Sequence, residues 1–475
     1  MSMLSHRRSL LSILAIILII SMASCAQPTE EPAPVVQEPV GEVAPAEVEP
    51  TQAEEAAVEV AEPVVVEWWT APRGEYEPMI DELFVNAFNS THDDVQLNLV
   101  RQENIDDITR MSLQAGTGPD IAQMGGGVTD LVDAGLLAPM NDYAETYGWA
   151  EEILPWAYEV SFIGDGLYSL PQTYESILLY YNKTLFDEHG WAPPKTLADI
   201  EFLCGEADKL GKICFGSSTE GRLTRNEWWL GWVINSYAGP DKFYKTLTGE
   251  LQWTDPAFAE AVELQRKWIV DDEWFAGGMD NYFTFSHDEN WISMAAGDTL
   301  MRVAGSWDLR RMITLCPEDC DWVIPPSLNP AVPQHFQLAI GEYVSIPRDA
   351  DNPQAAAEVL DYLFNDRERA AAIIEGFNFG QWLVPLHWEA SDFSADADPR
   401  LVRFIEEFAR VTGEGSFGYT TWSFLPAETR YYLNEGFEAV MLGDTTVEDY
   451  LQHIQDLLET ERDLLPPAPK TSITQ

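Results

Sequence analysis

Apolar positions along this chain recur with two periods, one of two residues and one near 3.6, and the periods alternate. "PVVVEWWTAP", from residue 63, is a β-branched run ending in two tryptophans, the pattern of a buried strand that opens into a loop. "YEPMIDELFVNAFNSTH" sets Met79, Ile80, Leu83, Phe84 and Phe88 at helical spacing, and "DVQLNLV" alternates as a second strand. "DDITRMSLQAG" predicts a helix closed by Gly116, "PDIAQMG" a short strand, and "VTDLVDAGLLAPM" a helix ending near Gly135. "GLYSLPQTYESILLYYNKTLFDEHG" predicts a strand containing Pro171, an apolar strand and a short helix. "KTLADIEFLCGEADKLG" follows as an amphipathic helix with Thr196 as its N-cap. The middle, from Asn226 to Trp307, is mostly helical and rich in Trp and Tyr. "FQLAIGEYVSIP" returns to strand, "PQAAAEVLDYLFNDRERAAAIIEGF" to helix, and a helical C-terminal stretch ends in a disordered-looking "LLPPAPKTSITQ". Strand, helix, strand succession is the unit of a sheet covered by helices, so the expected body is α/β in more than one lobe.

The N-terminal residues carry neither period. His6, Arg7 and Arg8 precede an apolar segment from Leu10 to Ile20 and the small residues Ser21, Ala23 and Ser24, a secretory signal layout over residues 1–24. The apolar segment is shorter than the ~20 residues needed to cross a bilayer. Small residues before Cys25 resemble the lipobox of bacterial lipoproteins, although Met22 stands where leucine is usual. That resemblance implies that Cys25 is the lipid-modified first residue of the mature chain; an ordinary cleaved signal with an incidental cysteine is the alternative. Ala26 to Glu62 has no aromatic residue, Lys or Arg, and cannot bury enough to offset its ordering entropy. Residues 25–62 therefore read as an acidic, disordered tether.

A formal net charge of −52 argues against nucleic acid as a partner, because phosphate binding needs basic patches. Beyond Cys25, the four cysteines pair most simply as Cys204 with Cys214 and Cys316 with Cys320, though four cysteines allow three pairings. A four-thiolate zinc site ranks below this, since its spacings are unmatched. Metalloprotease, P-loop and nucleophile-elbow motifs are missing from the sequence, and its seven histidines show no metal-ligand spacing. Neither a metal nor a cofactor is expected.

Four stretches in order resemble the family 1 extracellular solute-binding proteins, the maltose-binding type of sugar receptor for ABC importers. They are "AGTGPDIAQMGGGVTDLVDAGLLAPMNDY", "GLYSLPQTYESILLYYNKTLFDEHG", "AAGDTLMRVAGSWDL", and "EYVSIPRDADNPQAAAEVLDYLFNDRERAAAI" with "WLVPLH". The resemblance implies an α/β, two-lobe, periplasmic-binding-protein-like fold of type II, with hinged lobes and several crossing segments. Lobe 1 would take residues 63–174 plus 336–380, and lobe 2 residues 178–333 plus 384–475. It further implies a monomer that captures a sugar or oligosaccharide without chemistry and delivers it to a membrane permease, held at the outer face of the cell membrane by its lipid anchor, or else periplasmic.

A sugar offers apolar C–H faces that lie on aromatic rings and hydroxyls that need paired donors and acceptors. With 17 Trp, this chain has more indoles than core packing asks for. The resemblance implies a stacking role for Trp307 in "GSWDL", beside Gly305, where the backbone can approach a ligand. It also points to Glu175 at the first crossing with Tyr174 beside it, to Asn226, Glu227 and Trp228 in "RNEWW", and to Trp422 and Trp382. One of Trp228 and Trp229 belongs to the core. Ligands sit off the C-terminal strand ends of open α/β sheets, and of Trp68 and Trp69 the preferred inward residue is Trp69. "QMGGG" offers either backbone N–H groups or a tight turn. Few basic residues stand near these positions, which weighs against a phosphate-bearing solute such as a polyol phosphate. A secreted glycoside hydrolase, with two carboxylates ~5–9 Å apart, is the enzymatic alternative. A passive surface protein is the third, and it would have no use for aromatic residues at strand ends.

Overall fold

The computed structural model describes residues 62–220, 225–377 and 382–474. The signal segment, Cys25 and nearly all of the expected tether lie outside the described residues. The strands in chain order are β1 (Val64–Thr70), β2 (Val95–Arg101), β3 (Ile121–Met124), β4 (Phe162–Ile163), β5 (Gly166–Leu167) and β6 (Leu170–Glu175). Then come β7 (Ile177–Asn182), β8 (Ile213–Phe215), β9 (Thr299–Gly305), β10 (Cys320–Val323), β11 (Phe336–Ser345) and β12 (Phe417–Tyr419).

Two sheets organise the protein. In the first, β1 lies between β2 and β3, parallel to both, and β11 runs antiparallel to β3 and β6. The second has the order β10-β7-β9-β8. Only Ser176 separates β6 in the first sheet from β7 in the second, so the chain crosses between sheets there. Helices cover both sheets, the α/β arrangement expected from the alternating periods.

Local chemistry accounts for the element ends. Thr196 accepts from the Asp199 amide and Asp199 reaches back to Thr196, a capping box that starts the helix Leu197–Leu210. One long helix expected after residue 353 is two, Pro353–Asn365 and Arg367–Gly376. Asp366, with ψ 82, breaks the run and caps the second helix through the Arg369 amide. Cys204 is bonded to Cys214 and Cys316 to Cys320. The first bridge clamps the helix Leu197–Leu210 to β8.

β12 pairs in parallel with Phe336–Leu338 of β11. Ten residues long, β11 runs past β3 and offers its first residues to a further partner. The C-terminal stretch as far as Thr474 is ordered: Tyr419 donates from its hydroxyl to the Pro469 carbonyl and accepts from the Thr471 amide, and Thr471 is buried. Proline and small polar residues there suggested disorder, but hydrogen bonds to β12 hold the segment.

His335, just before β11, is buried, and its Nδ1 donates to the Pro333 carbonyl at 2.9 Å. Burial pushes its pKa down to about 4, the hydrogen bond offsetting only part of this. The unfolded chain binds this proton near pH 6.5 and the native one does not. The stability from a neutral His335 is thus complete above pH ~6.5 and is lost as pH falls toward 4, by up to about 3 kcal/mol. Urea midpoints at pH 7.5 and 4.5 are expected to fall less with acid in His335→Phe than in the parent; equal falls would mean His335 is not held neutral.

Candidate functional site

Strand register builds the site. Antiparallel pairing of β7 with β9 sets Ile177 opposite Gly305, so the crossing at Glu175–Ser176 meets the turn Gly305–Asp308. Ser176 N donates to Ser306 Oγ at 3.2 Å, and Ser306 N donates to the Ser176 carbonyl at 2.8 Å. From this turn the half-buried Trp307 folds back over Gly305, where a Cβ would come within 2.2 Å of the indole. Only glycine leaves room for that ring. Gly305→Ala is expected to push the indole off its seat and weaken solute binding at least tenfold, with little change in the melting temperature of the empty protein. Calorimetric titration beside a melting curve measures both.

Trp307 meets Trp228 edge to face at 5.2 Å and Trp422 at 6.1 Å, both with ring planes 68° apart. Trp228 is carried by the helix Asn226–Tyr237, and Trp422 by the short helix Thr421–Phe424 that follows β12. The three indoles line a cleft of about 810 Å³. Its opposite wall is the loop after β1, residues 72–76, so the cleft is open to the ends of both sheets. A smaller cavity of about 400 Å³ shares Trp422 and Arg430 with it and is lined by Gly126 and Gly127. Gly125 of "QMGGG" instead donates its amide to Asp106 at 2.6 Å.

Charged side chains line the cleft beside the rings. Glu227 is buried and accepts from Arg430 Nε at 2.9 Å and Nη2 at 2.8 Å, a bidentate pair. Arg310 pairs with Glu75 across the cleft and lies 4.5 Å from the centre of the Tyr76 ring. Arg73 Nη2 is 2.5 Å from Glu342 Oε1.

Beneath Trp307, Asp308 is fully buried and gathers Trp291 Nε1 at 3.2 Å, Arg302 Nη2 at 3.3 Å, Arg311 Nη1 at 3.1 Å and His287 Nε2 at 3.1 Å. Burial would raise the Asp308 pKa, but the His287 hydrogen bond and the Arg302 charge outweigh it and hold the carboxyl well below the usual carboxylate range. His287 Nδ1 lies 2.6 Å from Arg302 Nη2. Burial pushes the His287 pKa down, against the pull of Asp308, so the ring stays neutral, donating to Asp308 from Nε2 and accepting from Arg302 at Nδ1.

Of the residues singled out in the sequence, Glu175, Glu227, Trp228, Trp307 and Trp422 line this cleft, and Gly305 lies under Trp307. Tyr174 does not. It is the neighbour of Glu175 in β6, so its side chain points to the opposite face, buried and stacked on Phe408 at 4.4 Å. Trp382 is buried against Phe84 and Trp68, with ring centres 5.4 and 6.2 Å away. Asn226 is buried and accepts from the Tyr282 hydroxyl at 2.5 Å, which in turn accepts from Trp229 Nε1 at 2.8 Å. Trp229 is thus the core member of its pair. In β1 the inward residue is Trp68, and Trp69 lies on the other face with its Nε1 toward Glu67 at 3.4 Å.

The expectation of few basic residues near the cleft is also corrected, for arginines from four separate segments converge on it. Sequence spacing could not show that. Two signals were present, however: "APRGEY" directly follows the C-terminal end of β1, and "RR" directly follows "GSWDL". Among the described residues no group of acidic, His and Cys side chains is arranged to hold a metal ion.

Two sheets, a cleft open to the ends of both, and indoles with charged groups on its walls define a binding protein of the two-lobe kind. Residues 74–370 match the family described as bacterial extracellular solute-binding protein, and the chain belongs to that family. It is 27% identical over 206 residues to the diacetylchitobiose binding protein NgcE of Streptomyces coelicolor, covering 41% of each chain. It is 22% identical over 302 residues to an uncharacterized ABC transporter extracellular-binding protein of Pyrococcus horikoshii, covering 60% of this chain and 65% of that one. These matches span less than two thirds of either relative. Among solved structures, the cyclic alpha-maltosyl-1,6-maltose binding protein of Arthrobacter globiformis superposes with a TM-score of 0.67 at 19% identity, over 85% of this chain and all of that one. A chitin oligosaccharide binding protein gives the same TM-score at 16% identity and the same coverage. These likenesses show the two-lobe fold.

Proposed function

We propose that the protein is an extracellular receptor that captures a sugar or oligosaccharide between its lobes and passes it unchanged to the permease of an ABC importer. The observation that carries this is the group of three edge-to-face indoles, Trp228, Trp307 and Trp422, lining one cleft together with charged hydrogen-bonding groups. Flat apolar rings beside fixed donors and acceptors match the two surfaces of a pyranose. The sugar-binding relatives support the reading. Residues 63–174 plus 336–380 would form one lobe and 178–333 plus 384–475 the other, with β12 leaning on the first sheet. Closing requires a solute that binds the closed arrangement better than the open one.

The receptor would act as a monomer, held at the membrane by a lipid on Cys25 and the tether that follows. Among the described residues no helix is long and apolar enough to cross a membrane. Catalysis is disfavoured by the state of the cleft carboxylates: both oxygens of Glu227 are on Arg430, and Glu75 is paired with Arg310. A thermal-shift screen against sugars, polyols and polyol phosphates, with chromatography of each mixture afterwards, tests the proposal. Stabilisation by a sugar recovered intact is expected. Released product would make the protein a hydrolase, and stabilisation only by a polyol phosphate would remove the sugar.

A further inference from the structure

The cleft has a charge balance opposite to that of the chain. The whole sequence holds 79 acidic and 27 basic residues, yet the cleft lining has more arginines than carboxylates. Arg73, Arg225, Arg310, Arg311 and Arg430 line it; its carboxylates are Glu75, Glu175 and Glu227. Among the described residues no Asn, Gln, Ser or Thr lines it. Those neutral groups both donate and accept and so match a hydroxyl, whereas a guanidinium carries five N–H donors and no acceptor.

Most of these charges are already answered: Arg73 pairs with Glu342 and Arg225 donates to the Glu220 carbonyl. Glu227 spends both oxygens on Arg430, and Glu75 faces Arg310. Arg311 gives Nη1 to the buried Asp308 and turns Nε toward Asp288 at 3.5 Å, an exposed partner whose attraction water screens. Its Nη2 has no hydrogen bond among the described residues. Arg310 and Arg311 both sit within four residues of Trp307, so donor edges and a stacking ring are presented together. The outer edge of the Arg311 guanidinium beside an indole is the complement of a sugar ring that carries an anionic substituent, which a guanidinium grips with two parallel hydrogen bonds. The negative field of the rest of the chain is screened beyond ~8 Å at physiological salt, so recognition would be by contact inside the cleft.

We propose that the solute is an acidic sugar, one bearing a carboxylate or a sulfate on the ring that stacks at Trp307; this rests on the receptor reading above. The test titrates the full protein calorimetrically with trigalacturonic acid, its neutral methyl ester, a sulfated galactan oligosaccharide and chitotriose. An acidic member is expected to bind at least tenfold more tightly than either neutral one, and whether uronate or sulfate wins identifies the anion. Arg311→Gln, shown to be folded by circular dichroism, is expected to lose at least tenfold in affinity for the acidic ligand and to remove most of that preference. Neutral sugars bound as tightly as acidic ones would overturn the proposal and leave the sugar receptor standing. Heat from none of the four, with stabilisation by glycerol phosphate instead, would remove the sugar reading together with it.

Discussion

Asp308→Ala is expected to destabilise the protein by about 3–5 kcal/mol, the range for removing one partner of a buried ion pair. Arg302 is buried beside it, over the Trp291 ring, and would be left with an uncompensated charge, because His287, which it also contacts, is neutral near pH 7. Urea unfolding at pH 7 measures the loss. Combining Asp308→Ala with Arg302→Met, which removes the stranded charge, is expected to recover a substantial part of it. A double variant no more stable than the single one would show that the buried charge is not the cause. The same pair predicts a direction with pH. Because Asp308 is held below its ordinary value, its contribution is complete above the unfolded carboxylate pKa of ~3.9 and is lost only in stronger acid than that. Loss of stability between pH 6.5 and 4 therefore belongs to His335 before Asp308.

Trp307→Ala is expected to weaken solute binding by about 2–4 kcal/mol, the range for an aromatic hot spot, and to leave the empty protein almost as stable as before. Half-buried and resting on Gly305, the indole contributes its face to the cleft and its edge contacts to Trp228 and Trp422. Calorimetric titration with whichever sugar stabilises the parent gives the affinity, and thermal unfolding of the ligand-free variant gives the control. A drop in stability as large as the drop in affinity would make the ring a packing residue.

Much of the fold was legible because the relevant signals are local. The valine run of β1, the period of its following helix, the Thr196 cap and the alternation of β2 each reside within a dozen residues. The break at Asp366 was harder, because nothing in the apolar period changes there; the cap is visible only once the second helix exists. At the site, the indoles followed from a turn and a helix start that the family resemblance located. Tyr174 suggests itself beside Glu175 because the two are neighbours in a strand, yet alternation sends neighbours to opposite faces. For Trp68 and Trp69 alternation allows one of the two inward but does not say which. The arginines were illegible for a different reason. Arg73, Arg225, Arg310 and Arg430 are far apart in the chain and meet only when two sheets bring their strand ends together.

The reciprocal bonds between Ser176 and Ser306 have a practical side. They stitch the turn that carries Trp307 to the single-residue bridge between sheets, so under the proposed function any movement of that indole on binding would reach the bridge directly. An environment-sensitive dye beside that stitch would report occupancy optically, which makes this turn the natural place to convert the protein into a reagentless biosensor.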